Sequence, residues 1–138
     1  MRLHRLQVSA FGPFAGTVEV DLDAASAGGL FLIRGATGAG KTSLLDAVAF
    51  ALYADVPGAR SKKQLHSDHA ERGAVPSVTL ELTAAGRRLR IERSPEFLRP
   101  KSRGKGETKV QARAVLWERR GTEWTALSTR HDEIAEVV

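Results

Sequence analysis

The segment Gly35-Ala36-Thr37-Gly38-Ala39-Gly40-Lys41-Thr42 matches the pattern G-x-x-x-x-G-K-[ST] at every fixed position. Glycines tolerate positive φ and leave their amides uncovered, so successive N–H groups can form a concave nest for phosphate oxygens. The pattern belongs between a strand and a helix, because the helix N-terminus adds free amides and a favourable dipole. It therefore predicts a strand–loop–helix unit that binds a nucleoside triphosphate.

The sequence on both sides of this loop fits that unit. Leu30-Phe31-Leu32-Ile33 is a continuous apolar run, which predicts a strand buried on both faces. Behind the loop, apolar residues recur at helical spacing until Asp55-Val56-Pro57-Gly58, where a turn is expected. The residues of this helical stripe are Leu44, Leu45, Val48, Ala49, Leu52 and Tyr53.

In such a loop the lysine reaches the β- and γ-phosphates and the hydroxyl after it binds Mg²⁺. The predicted ligands are therefore ATP and Mg²⁺, with Thr42 as the metal ligand. The predicted nucleotide contacts are Gly35, Ala36, Thr37, Gly38, Ala39, Gly40, Lys41, Thr42 and Ser43. No catalytic residue is predicted: the strand-borne acid that hydrolysis needs has Glu118 as its one candidate, and a hairpin strand explains Glu118 better. His66 and His69 share an i, i+3 spacing, which in a turn-rich segment indicates exposed polar side chains more often than a metal site.

The rest of the chain alternates polar and apolar residues and is rich in turns. The length of 138 residues and 42% hydrophobic content predict one lobe, in which residues 1–56 hold strands, phosphate loop and helix and residues 57–138 hold a loop, β-hairpins and the start of a helix. Predicted strands cover residues 6–10, 18–22, 78–82, 89–91, 109–118 and 123–127, with a surface loop over 57–73 and a mobile loop over 94–107. A last helix is expected near Thr129, with Thr129 and Asp132 as its capping pair. The apolar stripe of that helix is cut off at Val138, so we expect the chain to be part of a longer protein.

Charge is concentrated in one stretch. Residues 87–105 contain eight basic side chains and two acidic ones, whereas the whole chain carries a net charge of +5. A local positive field of this kind suits the phosphate backbone of DNA without base reading. The predicted DNA contacts are Arg99, Lys101, Arg103 and Lys105; a solvated basic loop that only keeps the protein soluble is the alternative. Neither a secretory leader nor a membrane-spanning run is visible, so a cytoplasmic location is expected.

Several segments together resemble the SbcC family of ABC-type, SMC-like ATPases. The resemblance is carried by Ala10-Phe11-Gly12-Pro13-Phe14, by 29–47 with the phosphate loop, by Leu65-His66-Ser67-Asp68-His69-Ala70 and by Arg93–Lys101. It implies an α/β fold: the N-terminal lobe of an ABC-type P-loop ATPase head, with a mixed sheet around the loop and an antiparallel β part. It also implies a role in DNA repair, a second copy of the head as an ATP-dependent partner, and an SbcD-type nuclease subunit that acts on DNA ends. The family's Q-loop, Walker B and signature segments have no counterpart in this sequence, so hydrolysis by this chain alone is not expected.

Two other function classes remain open. A small phosphate-loop kinase or GTPase is disfavoured because no second acid of the Walker type and no N/T-K-x-D pattern is present. A basic, non-enzymatic DNA-binding module would leave the glycine loop incidental. In that case DNA affinity would not respond to a change at Lys41.

Overall fold

The computed structural model describes residues 1–58 and 64–138. The predicted surface loop 57–73 therefore lies partly outside the described residues. The elements in chain order are β1 (Arg2–Phe11), β2 (Phe14–Asp21), α1 (Leu22–Ala25), α2 (Lys41–Tyr53), β3 (Ser77–Ala84), β4 (Arg87–Ser94), β5 (Phe97–Pro100), β6 (Glu107–Val110), β7 (Arg113–Arg120), β8 (Glu123–Ser128) and α3 (His131–Val137).

The strands form a six-stranded sheet in the order β2-β1-β3-β4-β7-β8, and β5 pairs with β6 separately. Every pairing is antiparallel. The prediction of a mixed sheet is therefore wrong for the described part of the chain. The physical reason lies in the connections: short turns such as Gly12-Pro13 and Ala85-Gly86 can join only antiparallel neighbours, whereas a parallel pair needs a long crossover.

The core lies between one face of this sheet and helices α2 and α3. Leu80, Leu82 and Ile91 are fully buried on that face, and Ile134 of α3 is fully buried against it. The ring of Phe50 on α2 packs against Phe11 at the end of β1, with centroids 6.0 Å apart. Since the burial of each such side chain contributes about 1.5–3 kcal/mol, this layer fixes α2 across the sheet. The N-terminus of α2 is thereby held beside the turn that joins β1 and β2.

The apolar run 30–33 is not a strand. Residues 30–36 carry no regular secondary structure, and Leu30 and Leu32 are 97% and 84% exposed. A strand buried on both faces needs neighbours that hydrogen-bond to it and layers that cover it. In the described residues the sheet ends at β2 and β8, and neither edge pairs with this run. The predicted strand before the phosphate loop is therefore a wrong prediction for this structure.

The predicted mobile loop 94–107 contains a strand, β5, which pairs with β6 from Glu107 onward, and residues 101–106 form the turn between them. Phe97 faces Val110 and Arg99 faces Thr108 in the β5–β6 pair. Phe97 is only 6% exposed and its ring meets that of His66 edge-on, with centroids 5.4 Å apart. The buried ring of Phe97 explains why β5 forms, because its packing stabilises a strand that the Pro- and Gly-rich sequence alone does not specify.

Two further boundaries differ from the sequence prediction. The expected single strand 109–118 is interrupted, because β6 ends at Val110, β7 begins at Arg113, and Ala112 between them is exposed. The last helix begins at His131 with Arg130 as its N-cap residue, and no side chain caps that position. Thr129 and Asp132 thus do not form the predicted capping pair; instead Ser128 Oγ accepts the Arg130 amide at 3.0 Å and donates to Glu133.

Candidate functional site

The phosphate loop has the backbone that its sequence requires. Gly38 and Gly40 have φ values of 84° and 93°, in the region that side-chain-bearing residues avoid. Gly40 is the N-cap residue of α2, and its carbonyl accepts the Leu44 amide at 3.0 Å. Inside the loop, the Ala39 amide donates to the Ala36 carbonyl at 3.1 Å. The loop is therefore a compact turn that leads directly into the helix, as predicted.

Lys41 folds back over this loop. Its Nζ donates to the Gly35 carbonyl at 2.6 Å and to the Ala36 carbonyl at 2.7 Å. These contacts hold the ammonium group above the loop and beside the helix N-terminus. A positive charge at that place adds to the dipole of α2, so an anion is favoured there.

A cavity of about 550 Å³ opens at this loop. Six of the nine predicted nucleotide contacts line it, namely Thr37, Gly38, Gly40, Lys41, Thr42 and Ser43. The other three, Gly35, Ala36 and Ala39, do not line it, and the carbonyls of the first two accept hydrogen bonds from Lys41 Nζ. The glycine backbone, the lysine and the helix N-terminus suit a triphosphate, and Thr42 offers the oxygen that Mg²⁺ prefers.

The turn between β1 and β2 supports the loop from the side. A Cβ atom on Gly40 would lie 2.6 Å from Phe14 Cζ and 3.2 Å from Pro13 Cγ, and one on Gly12 would lie 3.3 Å from Ser43 Cβ. These short distances show that the backbone at Gly40 packs against the rings of Phe14 and Pro13, and that the backbone at Gly12 packs against the side chain of Ser43. Glycine at position 40 is therefore required by space as well as by φ.

A further wall of the cavity comes from a segment that site prediction missed. Gln64, Leu65, His66, Asp68 and His69 line it together with the turn Phe11-Gly12-Pro13. The Gly12 amide donates to the Leu65 carbonyl at 2.9 Å, and the Ser67 amide donates to the Ala10 carbonyl at 2.9 Å. The one sequence feature that pointed to this segment was the resemblance of residues 65–70 to the SbcC family, and that resemblance gave these residues no role.

Asp46 also lines the cavity and was not predicted. It stands one helical turn after Thr42, so both side chains lie on the same side of α2, and it is 5% exposed. The described residues contain no group of three or more His, Cys, Asp or Glu side chains that could hold a metal ion by themselves.

The basic stretch is divided by the fold. Arg87 pairs with Glu118 at 2.6 Å, and Arg88 and Arg90 both pair with Glu81, at 3.0 and 2.8 Å. Arg93 is 2% exposed and donates through Nε to the Ala51 carbonyl at the end of α2. These four side chains therefore form ion pairs or hydrogen bonds within the fold. The four predicted DNA contacts, Arg99, Lys101, Arg103 and Lys105, are all exposed on β5 and the turn after it.

Glu118 has a structural explanation. Hydrogen bonds from Arg87 and then from Arg120 lower its pKa, although its desolvation opposes the shift. It stands in β7, next to the edge strand of an antiparallel sheet, and it does not line the cavity at the phosphate loop. The acidic residues that line that cavity among the described residues, Asp46 and Asp68, lie on α2 and in a loop. None of the helices in the described ranges has the length and apolar character needed to cross a lipid bilayer.

Comparison with known proteins gives the family. Residues 5–136 match the family model described as an AAA domain. The SbcC subunit of the nuclease SbcCD from Vibrio cholerae serotype O1 is 44% identical over 117 residues, which cover 84% of this chain and 12% of that protein. The protein of the same name from Lactococcus lactis is 38% identical over 111 residues, or 80% of this chain and 10% of that one.

A third relative, the probable DNA double-strand break repair Rad50 ATPase of Aquifex aeolicus, is 35% identical over 95 residues, 67% of this chain and 9% of its own. The chain spans about a tenth of the length of these relatives. The family match covers both the phosphate loop and the segment that forms the second cavity wall. This chain therefore belongs to the AAA domain family and, within it, to the SbcC-type proteins.

Proposed function

We propose that this chain is the ATP-binding segment of a nuclease complex that processes DNA double-strand ends. The observation that carries the proposal is the cavity at the phosphate loop, where two left-handed glycines, the Lys41 ammonium and the start of α2 converge. Relatives named as a nuclease subunit and as a DNA double-strand break repair ATPase support the wider role.

In this proposal, ATP sits with its β- and γ-phosphates at the loop. The amides around Gly38 and Gly40 donate to phosphate oxygens, and Lys41 Nζ turns from the carbonyls of Gly35 and Ala36 toward the phosphates. Thr42 holds Mg²⁺, which neutralises phosphate charge when bound. Since these groups hold the ground-state nucleotide, and hydrolysis needs further groups that orient water, this segment binds and the rest of the head completes the reaction.

The finer proposal concerns partners. Two copies of the head would sandwich ATP, and their closure and opening would control an SbcD-type nuclease subunit at a DNA end. Support for DNA as a partner comes from the exposed basic group on β5 and the turn after it. A small kinase or GTPase is the weaker candidate, because Glu118 is held by arginines away from the cavity.

Thermal unfolding tests the nucleotide site. Ligand that binds only the folded state adds about 2.7 kcal/mol at a concentration of one hundred times Kd, or roughly 10 °C in Tm for a domain of this size. We expect this rise with Mg²⁺ and ATP for the parent chain and for Lys105→Ala, which loses the same charge away from the cavity. Lys41→Ala should lose most of the rise. Equal rises in parent and Lys41→Ala would contradict the assignment.

A further inference from the structure

We infer that the second wall of the cavity is a sugar-binding subsite, in which the Asp68 carboxylate accepts hydrogen bonds from the ribose hydroxyls of the nucleotide. The inference rests on the proposed nucleotide binding and goes beyond it by naming the group that distinguishes a ribonucleotide from other triphosphates. Asp68 lies 26 residues beyond Thr42 in the sequence, and it lines the same cavity.

The wall is held at a fixed place relative to the phosphate loop. Ser67, only 5% exposed, donates its amide to Ala10 at 2.9 Å, and its hydroxyl accepts the His69 amide at 3.3 Å. Leu65 accepts the amide of Gly12 at 2.9 Å. The turn after β1 also packs against Gly40 of the phosphate loop. Residues 65–69 and the phosphate loop are therefore both held in place by the end of β1 and this turn. Such a site is organised before its ligand arrives, which lowers the entropy cost of binding.

The chemistry of Asp68 selects the sugar. A carboxylate accepts hydrogen bonds and donates none, and its charge repels phosphate oxygens. Asp68 is exposed, and its side chain has no ion-pair or hydrogen-bond partner among the described residues, so the carboxylate is open to a donor of the ligand. Water hydrates this exposed carboxylate in the free protein, and a ligand that fills the cavity must replace that water with donors of its own. The ribose is joined directly to the α-phosphate, so its two hydroxyls are the nearest donors of the ligand itself.

The experiment compares three ligands on the 138-residue chain, by calorimetry with excess Mg²⁺: ATP, 2′,3′-dideoxy-ATP and inorganic triphosphate. Hydrogen bonds to a charged acceptor change affinity by about tenfold or more. We expect the parent to bind ATP about tenfold more tightly than dideoxy-ATP, and Asp68→Ala to bind both equally. Glu71→Ala, which removes an exposed acid of the same loop outside this cavity, should keep the parental preference.

Each result decides something. Equal affinity of the parent for ATP and dideoxy-ATP would overturn the subsite while leaving the phosphate site intact. If Asp68→Ala weakened inorganic triphosphate or dideoxy-ATP as much as ATP, Asp68 would act on the phosphates, the metal or the base, and the sugar assignment would be wrong. Failure of the parent to bind any of the three would instead overturn the proposed function itself.

Discussion

The ring of Phe14 stands so close to Gly40 that a Cβ atom on the glycine would lie 2.6 Å from Phe14 Cζ. The two residues are 26 positions apart, and only one of them belongs to the phosphate-loop motif. Real Cβ atoms do not approach another heavy atom so closely. The β1–β2 turn therefore takes part in setting the shape of the loop.

A double-mutant cycle can measure this contact. Gly40→Ala should destabilise the chain through both the clash with Phe14 and the positive φ. Phe14→Ala removes the ring, so Gly40→Ala in that background should keep the cost of the positive φ and lose the cost of the clash with the ring. We expect the double variant to be more stable than the sum of the single effects predicts, by about 1 kcal/mol or more in chemical unfolding.

The matched control for this cycle is Gly38→Ala. Gly38 also has positive φ, 84°, but a Cβ atom there meets nothing within 4 Å. Its cost should be the same with and without Phe14. Additivity of Gly40→Ala and Phe14→Ala would show that the ring does not restrict position 40.

The DNA proposal predicts a salt-dependent effect. Changing Arg99, Lys101, Arg103 and Lys105 together to Gln should weaken binding of unrelated duplexes about equally, because phosphate contacts carry no sequence information. The slope of log affinity against log salt should become shallower. Changing the exposed Arg2, Arg72, Arg119 and Arg130 to Gln removes the same charge and should have the smaller effect. If the two sets of substitutions lowered DNA affinity equally, the net charge of the protein rather than a defined surface would explain binding.

Hydrolysis by residues 1–138 alone should be near background. Lys41 and Thr42 fix the nucleotide, but acceleration requires groups that orient water and stabilise charge in the transition state. Phosphate release should rise when a chain carrying the rest of an SbcC-type head is added. Robust turnover by the 138 residues that Glu118→Gln abolishes would show instead that Glu118 is catalytic, despite its bonds to Arg87 and Arg120.

Acid should weaken the two ion pairs that Glu81 forms with Arg88 and Arg90. Burial opposes ionisation of Glu81, but hydrogen bonds from Arg90 and Arg88 outweigh it and lower the pKa below the ordinary 4.5. The stabilisation is therefore complete above pH 4.5 and is lost as the pH falls through the lowered pKa of the folded state.

Glu81→Gln tests this linkage. It should cost about 1–2 kcal/mol at neutral pH, between the values typical of exposed and buried pairs, and the difference from the parent should shrink as the pH falls through the lowered pKa of Glu81. Urea unfolding at several pH values measures it. Glu19→Gln, whose partner Arg5 lies 3.7 Å away on the exposed side, serves as the control. A cost that does not vary with pH would mean that packing, not charge, is lost.

Local sequence determined the parts of this protein whose physics is local. Glycines at 38 and 40 followed by Lys41 specify a left-handed turn and a helix start, and both are present. Strands β3 and β4 also followed from their alternation and the Ala85-Gly86 turn, because one face of each had to be buried. The antiparallel order of the whole sheet did not follow, since it depends on which strands become neighbours.

Tertiary structure decided what depends on contacts between distant segments. The apolar run 30–33 reads as a buried strand, yet it is exposed because none of the described residues pair with it. The hairpin β5–β6 reads as a loop, yet Phe97 is buried beside His66. The second wall of the cavity depends on the backbone of Gly12 and Leu65, whose amide and carbonyl carry no side-chain signature. A motif specifies its own backbone, but only folding determines what stands across the cavity from it.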